Sequence, residues 1–280
     1  NSSPRAKRYA REHGISLEGI TGTGYNGAVI EKNVMDAYQA LVASGCTGVQ
    51  DGEDYTVYRQ TMIEKTSAAR LMNSLQTAAQ STMSAQANAE IMVNLRKRIK
   101  EAGVAPVTFN DMVLYAVAKV LKEHPEINCV WAGEDLHRYK HVHLGVAVDT
   151  ERGLVVPVIR NADTMSLSEL SDAARVLVEK ARTGKLSPAE MTGGTFTVSN
   201  IGAMGVRTFT PIVNPPQVCI MGVGAIEPWF ALNDEGEVVP TQVINLSLTH
   251  DHRAVDGAPA ARFLSDVCSF IKDYDIMLAK

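Results

Sequence analysis

The chain has 280 residues, 45% of them hydrophobic, and a formal net charge of −4 at neutral pH. That length suits one large domain plus a small one, and the hydrophobic fraction excludes wholesale disorder. The acidic balance argues against nucleic acid as a partner. No apolar run approaches the roughly 18–20 residues needed to span a bilayer, so no membrane partner is expected. Cys46, Cys129, Cys219 and Cys268 are scattered without a CxxC pair, which argues against a cysteine metal site. Their even number permits disulfides, but the chain's size and the lack of a secretory signal favour reduced thiols in a cytosol-like compartment.

In chain order, Pro4 opens a short helix in which Ala6, Tyr9 and Ala10 fall at helical spacing beside Lys7, Arg8 and Arg11, and Gly14 is its expected C-terminal stop. Gly22-Thr23-Gly24-Tyr25-Asn26-Gly27 reads as a tight loop. A second helix follows from about Glu31 to Ala43, with Val34, Ala37, Tyr38 and Leu41 on one face. Residues 42–57, rich in Ser, Gly and acids, read as a flexible linker between a helical unit at 4–41 and a large domain at 58–280. In the large domain, helical patterns fall near 66–79, 88–102, 108–123, 166–183 and 258–273. Strand patterns fall at 142–149, 154–159, 194–199, 217–225 and 242–249. The fold class is α/β.

The sharpest chemical feature is Thr249-His250-Asp251-His252-Arg253-Ala254-Val255-Asp256-Gly257, which lies between an alternating strand and a helix. Strand ends are where α/β proteins place reactive groups, and histidine is the side chain best poised to exchange a proton near neutral pH. His252 and Asp256 are four apart, and Gly257 permits a sharp turn. His250 and His252 invite comparison with a metal pair, but no third ligand is spaced sensibly, so no metal is expected. Gly194 to Gly202 carries Ser199 at a strand end. It is not a Gly-x-Ser-x-Gly elbow, so Ser199 does not read as a nucleophile. Asn214-Pro215-Pro216-Gln217 leads extended chain into the apolar run Val218 to Val223.

Taken together, these blocks resemble the lipoamide-dependent acyltransferases of 2-oxo acid dehydrogenase complexes (pyruvate, 2-oxoglutarate, branched-chain and acetoin types). The Asp-His-Arg-x-x-Asp-Gly signature stands at Asp251 to Gly257, and Gly153 to Arg160, Gly184 to Pro188, Gly194 to Gly202 and Asn214 to Pro216 support it. The first forty residues resemble the family's peripheral-subunit-binding domain, through Lys7 to Glu12 and Gly22 to Gly27. The resemblance implies a chloramphenicol acetyltransferase-like catalytic domain, a mixed sheet flanked by helices, preceded by a small all-α docking domain. It implies binding of a 2-oxo acid decarboxylase or dihydrolipoyl dehydrogenase through Lys7, Arg8 and Arg11. Tyr25 and Ala28 stand where the family often has basic residues, which predicts weaker steering of an acidic partner.

The implied reaction is acyl exchange, most simply acetyl, between dihydrolipoamide and coenzyme A. By the resemblance, His252 is the general base, the Ser199 hydroxyl stabilises the oxyanion, and Asp256 is mainly structural and pairs with Arg70, with Gly257 as support. No Asp-Lys-Ala lipoylation site occurs in the sequence, so the lipoyl domain is expected elsewhere. The family's active site lies between subunits of a homotrimer that assembles into a 24-mer or 60-mer core, and Ile276, Met277 and Leu278 are candidate contacts between trimers. Gln76 to Ala87, rich in small side chains, lies where the family shapes its acyl pocket. The implied location is the cytoplasm of a bacterium or the mitochondrial matrix of a eukaryote. The alternatives are a stand-alone CoA acetyltransferase with a small acceptor, which the docking module disfavours, and a non-catalytic scaffold, which His252 and Ser199 disfavour.

Overall fold

The computed structural model describes residues 2–13, 15–43, 57–103, 106–232 and 235–279. The chain divides into two compact units, Asn1–Arg59 and Gln60–Lys280. The expected stop at Gly14, Cys46 and nearly all of the expected linker lie outside the described residues.

The first unit holds helices α1 (Pro4–Glu12) and α2 (Glu31–Ala43). The Ser3 hydroxyl accepts from the Ala6 amide at 3.1 Å, which caps α1 ahead of its first-turn proline. Ala6, Ala10, Val29 and Val34 form a core of small side chains, with Tyr9, Ile15, Leu17 and Ile20 packed around it. So small a core depends on local polar locks. Asn33 supplies one: its carbonyl oxygen accepts from the amides of Thr23 and Ile30, each at 3.1 Å. Lys7, Arg8 and Arg11 all lie on the exposed side of α1, where Arg8 reaches Glu12 at 3.8 Å.

The second unit begins with α3 (Met62–Thr77), opened by a capping box of Thr61 with Glu64. Then come β1 (Gln80–Asn88), α4 (Glu90–Glu101), α5 (Phe109–Glu123), β2 (Cys129–Ala132), β3 (Asp135–Arg138), β4 (Leu144–Val146), β5 (Val158–Ile159), α6 (Leu167–Arg182), β6 (Phe196–Asn200), β7 (Cys219–Leu232), β8 (Val238–Asp251), α7 (Gly257–Lys272) and α8 (Tyr274–Leu278). Six strands form one mixed sheet in the order β1-β8-β7-β6-β4-β5, and β2 and β3 form a separate hairpin. Strand β6 runs parallel to β4 and β7, and the other pairings are antiparallel. The architecture is the α/β mixed sheet with helices, preceded by a small helical unit.

Alternation along the strands separates two faces. Leu246 and Leu248 of β8, Met221 and Val223 of β7, and Val198 of β6 belong to the main core with α5 and α7. The opposite face of β8 carries Asn245, Ser247 and Thr249, which meet Gln86, Ser84 and Thr82 of β1 at 3.0, 3.0 and 2.8 Å. This ladder explains β1, which the sequence pattern does not reveal. Its Ser, Ala, Gln and Asn residues have weak strand preference, and cross-strand pairing with β8 supplies the missing drive. Gln76 to Ala87 therefore ends α3 and forms most of an edge strand. The hairpin β2–β3 also lies in a region for which the sequence pattern predicts no strand.

The C-terminal residues are helical rather than frayed. Tyr274 is fully buried and its hydroxyl donates to the Met112 carbonyl at 2.9 Å. Met277 and Leu278 pack on the chain's own core, and only Ile276 of the three candidate contacts is largely exposed.

Phe263 of α7 is fully buried, edge-on to His124 and Phe196. Phe263→Ala is expected to destabilise the second unit by about 3–5 kcal/mol, measured as a shift of the denaturant midpoint, with the first unit's helical signal retained.

Candidate active site

Strand β8 delivers Asp251 to a position where water is excluded. Its carboxylate accepts from the Arg253 Nε at 2.9 Å, the Arg253 amide at 3.1 Å, the Trp131 indole at 3.1 Å and the Ala79 amide at 3.2 Å. The Arg253 guanidinium also lies 5.2 Å from the centre of the Trp131 ring. Burial works to raise the Asp251 pKa, but the side-chain and backbone donors of Arg253 and the indole of Trp131 outweigh it and hold the carboxyl below its ordinary value. One buried anion thus ties the end of β8 to the start of β1 and to β2.

That knot sets the path of the next residue. The His252 amide donates to the Ala79 carbonyl at 2.9 Å, and its imidazole projects half exposed, with 49% of the side chain accessible. Its Nδ1 lies 3.8 Å from the Asp256 carboxylate, beyond hydrogen-bond reach. Asp256 flanks the N-terminus of α7 with 86% of its side chain exposed and makes no side-chain cap. Gly257 does not take the left-handed conformation, so it is not there for a tight turn. A Cβ at that position would sit 3.9 Å from His252 Nε2, an ordinary van der Waals contact.

Ser199 lies half-buried at the end of β6, and its hydroxyl has no hydrogen-bond partner among the described residues. The following turn is fixed by close backbone approach. The Asn200 side chain accepts from the Gly202 amide at 3.0 Å, and a Cβ at Gly224 would come within 1.8 Å of the Arg207 carbonyl. Beside Ser199 is a cavity of about 590 Å³ whose walls include Arg70, Val156, Thr197, Phe209, Asn214 and Ile220.

The structure therefore keeps Ser199 and His252 apart within one chain. In the sheet register Ser199 pairs with Gly222, and Gly222 with Ser247. Ser247 stands five residues before His252 (252 − 247), which at strand rise is roughly 16 Å. His252 does not line the Ser199 cavity. The expected pair of Arg70 with Asp256 is not formed within the chain: Arg70 lines the Ser199 cavity, Asp256 is exposed, and no ion pair joins them among the described residues. The carboxylate that does need an arginine is Asp251, because it is the buried one. Sequence reasoning gave Asp251 no role. The available signal was its place as the last strand residue with an arginine two positions on.

Among the described residues no group of three or more His, Cys, Asp or Glu side chains is placed to hold a metal ion. No helix there is long and apolar enough to cross a membrane.

Residues 52–279 match the model of the 2-oxoacid dehydrogenases acyltransferase catalytic domain, and residues 1–35 match that of the e3 binding domain. A dihydrolipoyllysine-residue acetyltransferase component of the pyruvate dehydrogenase complex of Rickettsia prowazekii is 34% identical over 99% of this chain and 68% of its own length. The corresponding component of the acetoin cleaving system of Bacillus subtilis is 36% identical over 97% and 69%. Among solved structures, the dihydrolipoamide acetyltransferase of Azotobacter vinelandii is 34% identical with a TM-score of 0.76, covering 83% of this chain and all of that one. A cubic core of a pyruvate dehydrogenase multienzyme complex is 35% identical with a TM-score of 0.76 over the same shares. The chain belongs to the 2-oxoacid dehydrogenase acyltransferase family.

Because the Asp251 carboxyl is depressed in the folded state, its contribution to stability is present above the unfolded carboxylate range and is lost as pH falls through the folded value. Asp251→Ala, which leaves the Trp131 indole and the Ala79 amide without their acceptor while Arg253 stays half exposed to water, is expected to cost about 1–3 kcal/mol at neutral pH. A pH series of thermal melts should show this deficit shrinking below the ordinary carboxylate range, near pH 4 and under.

Proposed function

We propose that this protein transfers an acetyl group between dihydrolipoamide and coenzyme A by direct thioester exchange at a site completed by two copies of the chain. The observation that carries the reading is the separation of a half-exposed imidazole from a free hydroxyl beside a cavity of pantetheine-compatible size: the hydroxyl lies two strands across the sheet and roughly 16 Å back along it by strand register. Each half lacks what the other supplies.

The chemistry asks for both. A free thiol has a pKa near about 8.5 and is mostly protonated at neutral pH, while the thiolate is the nucleophile. His252 takes the CoA sulfhydryl proton. The CoA sulfur then bonds to the acyl carbon, and the carbonyl oxygen becomes an oxyanion that accepts a hydrogen bond from Ser199 of a second copy. When the bond to the lipoyl sulfur breaks, the electron pair leaves on that sulfur and His252 returns the proton. Both thiols are substrates, so no acyl-enzyme is required, and Ser199 acts as a donor rather than a nucleophile. Asp256 borders the His252 ring, and Arg70 borders the serine half-site.

Acetyl as the transferred group is supported by the relatives, which are named as acetyltransferases of pyruvate dehydrogenase and acetoin systems. Assembly follows the same reading. The chain forms a homotrimer that builds a larger core, with cubic geometry favoured by the likeness to a cubic core, and the exposed Ile276 is available for contacts between trimers. The first unit docks dihydrolipoyl dehydrogenase or the decarboxylase through Lys7, Arg8 and Arg11, and a lipoyl domain presents the substrate arm. The protein works in the bacterial cytoplasm.

Acetyl transfer from acetyl-CoA to free dihydrolipoamide tests the assignment. His252→Ala is expected to lower kcat by about 10²–10⁴ and Ser199→Ala by about 10²–10³. Mixing the two variants under exchange conditions should restore activity, since mixed trimers contain some intact sites. Full activity in either single variant removes that residue from the mechanism.

A further inference from the structure

One buried titratable group near the site has no role in the exchange just described. His250 lies on β8, on the same face as Leu246 and Leu248, with Ser81 of β1 and Cys219 of β7 as its register partners. Its exposure is 0%, and neither ring nitrogen has a hydrogen-bond partner. An unpartnered buried polar atom is disfavoured against an apolar side chain of equal size. Leucine or phenylalanine would fill this core position at lower cost.

His252, two residues on, has the complementary deficiency. Among the described residues its ring has no hydrogen-bond partner, and the exposed Asp256 carboxylate lies 3.8 Å from its Nδ1. A general base needs a defined tautomer and direction. A group bonded to the ring nitrogen that does not handle the substrate proton ordinarily supplies both. The two imidazoles are neighbours, with centroids 5.2 Å apart and planes tilted by 44°.

We propose that His250 is the positioning residue of His252: a modest turn of the half-exposed His252 ring lets its second nitrogen donate to a ring nitrogen of the buried His250. This role rests on the reading of His252 as the base. His250 is buried within its own chain, so its place beside His252 does not depend on the second copy, whereas the surroundings of the exposed Asp256 do. The acceptor must be uncharged. Burial lowers the His250 pKa, positive charge on His252 lowers it further, and Asp251 opposes both. The remaining titratable neighbour in the register, Cys219, is a neutral thiol whose pKa burial pushes well above the usual range. A neutral imidazole offers one lone pair and one N–H, which is what the role requires.

His250→Phe keeps the ring's bulk and removes both nitrogens, and His250→Gln returns an acceptor. In the acetyl-CoA to dihydrolipoamide assay, His250→Phe is expected to lose at least about tenfold in kcat, with KM for both substrates within about twofold. His250→Gln should recover at least about a third of the wild-type kcat. A phenylalanine variant with wild-type kcat overturns the proposal, because packing alone would then account for the residue. If circular dichroism shows the phenylalanine variant unfolded, the same contrast is read between His250→Leu and His250→Gln, and equal kcat values overturn it. His252→Ala runs alongside. Its inactivity with an active His250→Phe removes the positioning role alone, whereas its activity removes the reading beneath it.

Discussion

The geometry of the site depends on one buried anion. Asp251 is the last residue of β8 and accepts from Arg253, Trp131 and the Ala79 amide, so three segments far apart in sequence converge on a single carboxylate. A buried ion pair is weak evidence for stability, because desolvation offsets most of its attraction. Its value here is in direction. With Asp251 held from three sides, the chain leaves the strand along one path, the His252 amide meets Ala79, and the imidazole points outward from a rigid floor. A core packed with aliphatic residues at the same point would leave the turn free to choose.

The sheet carries the rest of the placement. Because side chains alternate, one face of β6, β7 and β8 belongs to the core, and the other carries the half-buried Ser199 and a polar ladder of β8 with β1 whose β8 members are buried. Strand β7 stands between the strands that bear the serine and the histidine. No side-chain rearrangement within one chain closes a gap of several strand residues. Under the proposed mechanism the two groups have to be assembled across a symmetry axis, which would make oligomerisation a chemical requirement rather than a stabilising accessory.

How much of this was legible follows from where the information lies. Helices α4 to α7 and strands β4 to β8 advertise themselves through apolar periodicity, and the run from Gln242 to Thr249 alternates visibly. His252 and Ser199 were legible as residues at strand ends inside recognisable blocks. Strand β1 was not, because its drive is pairing with Ser247 and Thr249, more than 150 residues away in sequence. Trp131 was illegible for the same reason: its indole matters only once β2 meets Asp251. Asp256 drew attention as a carboxylate four residues after a histidine, yet spacing carries no information on burial. The buried carboxylate is its neighbour in the motif, Asp251, and burial decides which acid needs an arginine.

The cysteines bear on whether the acyl group passes through the enzyme. A thiol that relays an acyl group must reach the substrate and ionise near neutral pH. Burial pushes the Cys129 and Cys268 thiols up to about 11 and the Cys219 thiol well above its usual value. None of these three is fit to attack a thioester. The Ser199 hydroxyl has no histidine beside it in its own chain, and the histidine that the proposed assembly brings to it is already committed to a substrate sulfur. Direct attack of one substrate thiol on the other's acyl group therefore needs fewer activated groups than any relay through the protein. On the proposed mechanism a base and a hydrogen-bond donor then suffice, with no nucleophile between them.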